Sequence, residues 1–225
     1  MAHFHTFTRE RQDRSDEIQT LLDEAYAAYD ADNHIEAAAG FRRAAEAGDV
    51  KAQNILAIHY YRGDGVQRNI PEAIFWFRKA AEADYAMAQN NLGNIYYNGE
   101  GGERDYAEAV KWYRCAADNG SRGGQHNLGE CYYYGHGVQQ DYAEAVKWLR
   151  HAAERGETAG LSMLGNCCYY GLGVKQSYTE AAAYYRRGAE AGFAHSQYFL
   201  GHCFFHGDGV ARDLAEAVKW YRRAA

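Results

Sequence analysis

Glycine recurs in this chain of 225 residues with a fixed period. Gly63, Gly99, Gly135, Gly171 and Gly207 stand 36 residues apart, and Gly65, Gly101, Gly137, Gly173 and Gly209 follow in the same register. Ala73, Ala109, Ala145, Ala181 and Ala217 keep that period. So do all four tryptophans, Trp76, Trp112, Trp148 and Trp220, with Tyr184 in the fourth place. Self-similarity at this period means one supersecondary unit copied in tandem. Such a unit cannot bury its apolar face alone and must stack on its neighbours.

Within one copy the pattern reads as two helices. Leu92, Tyr96 and the small Gly93 give a first helix that a neighbour can approach closely. Gly99 and Gly101 end it, because glycine accepts the left-handed conformation common at helix termini. Asp105 opens the second helix, its side chain accepting from free first-turn amides, and Glu108 three residues on completes a capping box. The equivalent pairs are Asn69/Glu72, Asp141/Glu144, Ser177/Glu180 and Asp213/Glu216, and the one proline, Pro71, sits in a first turn where its missing N–H costs little. Ala109, Trp112, Tyr113, Ala116 and Ala117 then have the spacing of a buried stripe. Beside it Arg78/Glu82, Arg114/Asp118, Arg150/Glu154 and Arg186/Glu190 read as a solvated face of weak ion pairs.

Composition removes several function classes. The net charge is −6 and no lysine or arginine run stands out, which argues against nucleic-acid partners. No stretch approaches the ~18 apolar residues of a membrane span, so no membrane insertion is expected. The polar start has no apolar core of a secretory signal; a cytoplasmic protein is expected, or a periplasmic or secreted one if a leader has been removed. Cys131, Cys167 and Cys203 fall on successive first helices, further apart than a disulfide spans, and read as reduced core residues, with Cys115 exposed.

No catalytic constellation is visible, so no enzyme and no cofactor are expected. The Gly-x-Gly-Val turns follow helices rather than strands, unlike phosphate loops. An alternative comes from His195, His202 and His206, which share a helix face, with Asp208 in the turn beyond. Together they are candidate ligands for zinc or the centre of a histidine-dependent enzyme. The other reading is a histidine-rich end of a polar groove.

The array resembles the Sel-one-like repeat family, a branch of the tetratricopeptide superfamily. The resemblance rests on Ala88-x-x-x-Leu92-Gly93-x-x-Tyr96-x-x-Gly99-x-Gly101, then Asp105-x-x-Glu108-Ala109-x-x-Trp112-Tyr113-x-x-Ala116-Ala117, repeated over residues 51–225. It implies an all-α fold: a right-handed α/α solenoid of antiparallel hairpins, twelve helices in six hairpins. Residues 1–14 are expected as a disordered or extended segment and 15–50 as an opening tetratricopeptide-like hairpin. Five copies follow in 51–225, at about 51–86, 87–122, 123–158, 159–194 and 195–225, in one continuous domain.

The resemblance also implies that the first helix of each hairpin lines a concave surface. Its pattern maps the groove onto Asn54, Ile58, Tyr61 and Arg62, then Met87, Asn90, Asn94, Tyr97 and Asn98, then His126, Glu130, Tyr133 and Tyr134. The fourth copy supplies Ser162, Asn166, Tyr169 and Tyr170, and the last His195, Tyr198, His202, Phe205 and His206. Asparagine both donates and accepts, and tyrosine offers a rigid ring with a polar tip. Tyr97, Tyr133 and Tyr169 serve either the groove or the packing between copies. The expected role is an adaptor that binds a partner protein or peptide. Alternatives are a self-assembling scaffold, joined through the C-terminal end near Trp220, and a bacterial toxin-immunity protein.

Overall fold

The computed structural model describes residues 2–225, with side chains from Arg14 onward. Twelve helices and no strand occur among them. They divide into two compact units, one ending at Arg104 and one running from Asp105 to Ala225, where the repeat alone led to the expectation of one continuous domain.

The first unit holds α1 (Ala2–Asp30), α2 (His34–Glu46), α3 (Val50–Arg62), α4 (Ile70–Glu82) and α5 (Ala86–Asn98), each packed on the next. The expectation of a disordered or extended segment over 1–14 is corrected for residues 2–14, which form the front of α1; Met1 lies outside the described residues. No glycine or proline stands between Ala2 and Asp30, so nothing local ends that helix. Phe41, Leu56, Phe77 and Leu92 are buried at successive levels.

The second unit holds α6 (Tyr106–Asp118), α7 (Arg122–Tyr134), α8 (Tyr142–Glu154), α9 (Leu161–Tyr170), α10 (Tyr178–Glu190), α11 (Ala194–His206) and α12 (Leu214–Ala224). Its core is built from Leu128, Cys131, Leu149, Leu164, Cys167, Tyr185, Leu200 and Cys203. The helix glycines serve close packing. A methyl on Gly165 would strike the Tyr185 ring, and one on Gly129 would sit 2.8 Å from Leu149.

The helix ends follow the local chemistry with one correction. Asn69, Asp105, Asp141, Ser177 and Asp213 all accept from the backbone N–H of the glutamate three residues on. The reciprocal half of the capping box differs. The cap residues' own N–H groups, at 69, 141, 177 and 213, donate to the carbonyls of Tyr60, Tyr132, Cys168 and Phe204 at 2.8–3.0 Å. The glutamates take other partners. Glu108 and Glu144 accept from the indole N–H of Trp112 and Trp148, each at 3.1 Å.

The arginine ladder also differs from expectation. None of the four expected pairs forms an ion pair among the described residues. Where the next first helix offers a tyrosine hydroxyl, the guanidinium reaches forward to it instead. Arg42 donates to the Tyr60 hydroxyl, and Arg78 and Arg114 donate to those of Tyr96 and Tyr132 at 2.5 Å. A buried glutamine adds a second rung that the sequence reading missed. The side-chain amides of Gln53, Gln89, Gln125 and Gln197 donate to the carbonyls of Ala45, Ala81, Ala117 and Ala189, a second bond to carbonyls that already accept the backbone N–H of Gly48, Asp84, Gly120 and Gly192.

Candidate partner-binding face

The candidate residues lie on α3 and α5 in the first unit and on α7, α9 and α11 in the second. Packing has already claimed some of them. Asn54 is 3% exposed and its carbonyl accepts from Asn91 at 3.1 Å, which takes it off the open surface. Asn166 accepts from the buried Tyr185 hydroxyl at 2.8 Å. Asn98 is exposed and donates to Glu100 at 3.0 Å. Asn90, Asn94 and Tyr97 are half-buried on α5.

In the second unit aromatic rings reach the solvent in successive copies. Tyr134, Tyr170, Tyr198 and Phe205 are exposed, Tyr170 at 56%. Each outer ring has a neighbour beneath it. Tyr133 meets Tyr134 edge-on at 4.9 Å and also meets Tyr142, while Tyr169 does the same with Tyr170 and Tyr178. Tyr133 and Tyr169 are thus half-buried supports for exposed partners. His126 sits 3.5 Å from Glu130 one helical turn on.

The histidines do not assemble the expected metal set. His195 leans on Phe199 at 4.7 Å, while the rings of His202 and His206 lie 4.3 Å apart. His202 is 4.0 Å from Asp208, whose carboxylate is already taken by the Tyr169 hydroxyl at 2.6 Å. Burial and then the neighbouring His206 push the His202 imidazole below its ordinary pKa, against the pull of Asp208. Burial, followed by the bond to Asp208, pushes the Tyr169 hydroxyl up. Among the described residues no group of three or more histidine, cysteine, aspartate or glutamate side chains could hold a metal ion. The zinc alternative is corrected accordingly.

Two of the cavities in the first unit flank α3. One of about 160 Å³ is lined by Ile58, Tyr61, Arg62, Phe77, Asn91, Asn94 and Ile95. The other, about 230 Å³, is lined by Tyr26, Tyr29, Phe41, Ile55, Ile58, His59, Arg62 and Asp64. Four of the mapped groove residues, Ile58, Tyr61, Arg62 and Asn94, line the first. Asn91 and Phe77 were missed, although the doubled asparagine at 90–91 was a visible signal.

The Sel1 repeat profile matches residues 50–85, 86–121, 123–157, 158–193 and 194–225, well over half of the sequence. The chain belongs to the Sel1 repeat family. Among solved Sel1 structures, a protective antigen of uropathogenic Escherichia coli with an SLR fold is 33% identical, with a TM-score of 0.87. That alignment covers 96% of this chain and 47% of the antigen, so this chain spans about half the antigen's length. A Sel1 repeat protein from Oxalobacter formigenes is 34% identical, with a TM-score of 0.83, over 90% of this chain and 84% of that one. An immunity protein of Pseudomonas aeruginosa shares the fold alone, at 21% identity and a TM-score of 0.56, over 89% of this chain and 81% of its own. No curated protein matches the sequence. Sel1 repeats make an all-α solenoid of helical hairpins typical of protein–protein interaction modules. No helix among the described residues is long and apolar enough to cross a membrane.

Proposed function

We propose that the chain is a non-enzymatic adaptor that binds a partner protein on the face carried by its first helices. The observation that carries this reading is the set of rings at Tyr134, Tyr170 and Tyr198, left in solvent on three successive first helices. Large rings released from packing in consecutive copies form a contact surface with low conformational entropy to lose on binding. The surrounding histidines and amides supply hydrogen bonds at its rim. The unpaired cysteines, four of them buried, suit a reducing compartment, and we place the protein in the cytoplasm on that basis.

The test is a pull-down from the native organism with the wild-type chain and with Tyr134→Ala plus Tyr170→Ala. Both rings are exposed, so the double variant should keep its helical content and melting temperature. Specific partner recovery is expected to fall about tenfold or more, the loss typical of removing two aromatic anchors. Unchanged recovery would sink this assignment of the face.

Self-association through α12 is a second reading. Val218 is 48% exposed, whereas Val146, at the same register two copies earlier, is 3% exposed.

A further inference from the structure

The two cavities that flank α3 lie side by side, divided by a single ridge of that helix. Ile58 and Arg62, one helical turn apart, line both of them. The buried Phe77 and Ile95 give the first an apolar floor, and the buried Phe41 does the same for the second. Charge is placed unevenly around them. Glu100 is engaged by the Tyr61 hydroxyl and lies 3.9 Å from Arg68, and Asp64 lines only the second cavity. Arg62 is exposed and makes no ion pair among the described residues.

We propose that this pair of cavities receives an extended partner segment in the polyproline II conformation, with apolar side chains three residues apart and a carboxylate between them. The proposal deepens the adaptor reading and rests on it. The two cavities flank one helix, whose diameter with side chains is about 10–12 Å, and that width sets their separation. A polyproline II chain advances about 3.1 Å per residue with three residues per turn, so positions i and i+3 point the same way about 9 Å apart. A β-strand turns those two positions to opposite sides. Leucine-sized groups suit cavities of 160 and 230 Å³. The residue between them passes over the ridge, where the Arg62 guanidinium meets a carboxylate in a charge-assisted bond. Polyproline II backbone makes no internal hydrogen bonds, so its carbonyls stay open to donors along the cavities.

The experiment titrates a fluorescently labelled, acetylated and amidated PLPELP peptide with the full chain, read by anisotropy. Saturable binding is expected, weakened about tenfold or more by Arg62→Glu, and equally by Ile58→Trp, which fills the space beside the ridge. Replacing the peptide's glutamate by lysine should restore affinity toward the Arg62→Glu chain. Moving the leucines four residues apart (PLPPELP) should cost a similar factor. Circular dichroism confirms that both variants fold; Arg62, being exposed, carries the test if Ile58→Trp does not. Absence of saturable binding, or binding indifferent to Arg62→Glu, overturns the proposal. If the peptide fails while Tyr134→Ala plus Tyr170→Ala still releases the cellular partner, this inference falls and the adaptor reading stands.

Discussion

Burial decides what the cysteines of this chain can do. Cys131, Cys167 and Cys203 are fully enclosed, and burial pushes each thiol up to about 12, so almost none is the reactive thiolate at neutral pH. Cys115 is exposed. A disulfide reagent at pH 8 should therefore titrate one thiol in the native chain and all five in denaturant; a second native thiol reacting as fast would contradict the packing. The pH dependence has a definite sign. The unfolded chain ionises these thiols first, near their ordinary value of 9.0. The stability they contribute is complete below pH 9 and is lost as pH rises toward about 12. The urea midpoint should decline across that window. Legibility at this scale was uneven. The core cysteines were readable because a fixed period fixes the face. Asn54 was not, because whether it faces solvent or Asn91 depends on a residue 37 positions away.

The fourth copy shows how an element absorbs replacement of its usual partners. Three repeat positions change there together: Leu161 stands where the glutamine rung would be, Cys168 replaces the tyrosine and Tyr184 the tryptophan. With no indole to hold it, Glu180 lies 3.3 Å from Arg150 and accepts from the Cys168 thiol at 3.7 Å. Its first helix, α9, is also shorter, with 10 residues against 13 in α7 and α11. Restoring one position alone leaves a competing partner in place. Tyr184→Trp with Cys168→Tyr should stabilise by about 0.5–2 kcal/mol, more than the two single changes sum to. Thermal melts of all four chains check this, and simple additivity would show that the sites are uncoupled. Helix ends were legible beforehand because caps are local chemistry. The forward reach of Arg78 was not, because it depends on which helix packs alongside.

At the scale of the whole molecule, the exposed apolar side chains of α12 predict an association that no single copy would reveal. Leu214 and Val218 are half exposed, while Val110, Val146 and Ala182, at the register of Val218, are covered. Sedimentation of the 225-residue chain should show mass rising with concentration, and Val218→Glu should hold it monomeric. Constant mass for the wild-type chain would remove that reading. The turn glycines set a different kind of limit. Gly65, Gly137, Gly173 and Gly209 have positive φ, and a methyl at any of them would collide with backbone at the start of the preceding copy's second helix, at residues 34, 106, 142 and 178. Each turn is thus measured against the copy before it. A one-residue insertion ahead of the glycine would put a Cβ where only hydrogen fits. Such an array is open to growth by duplication of an entire 36-residue module and closed to the small insertions that surface loops ordinarily accept.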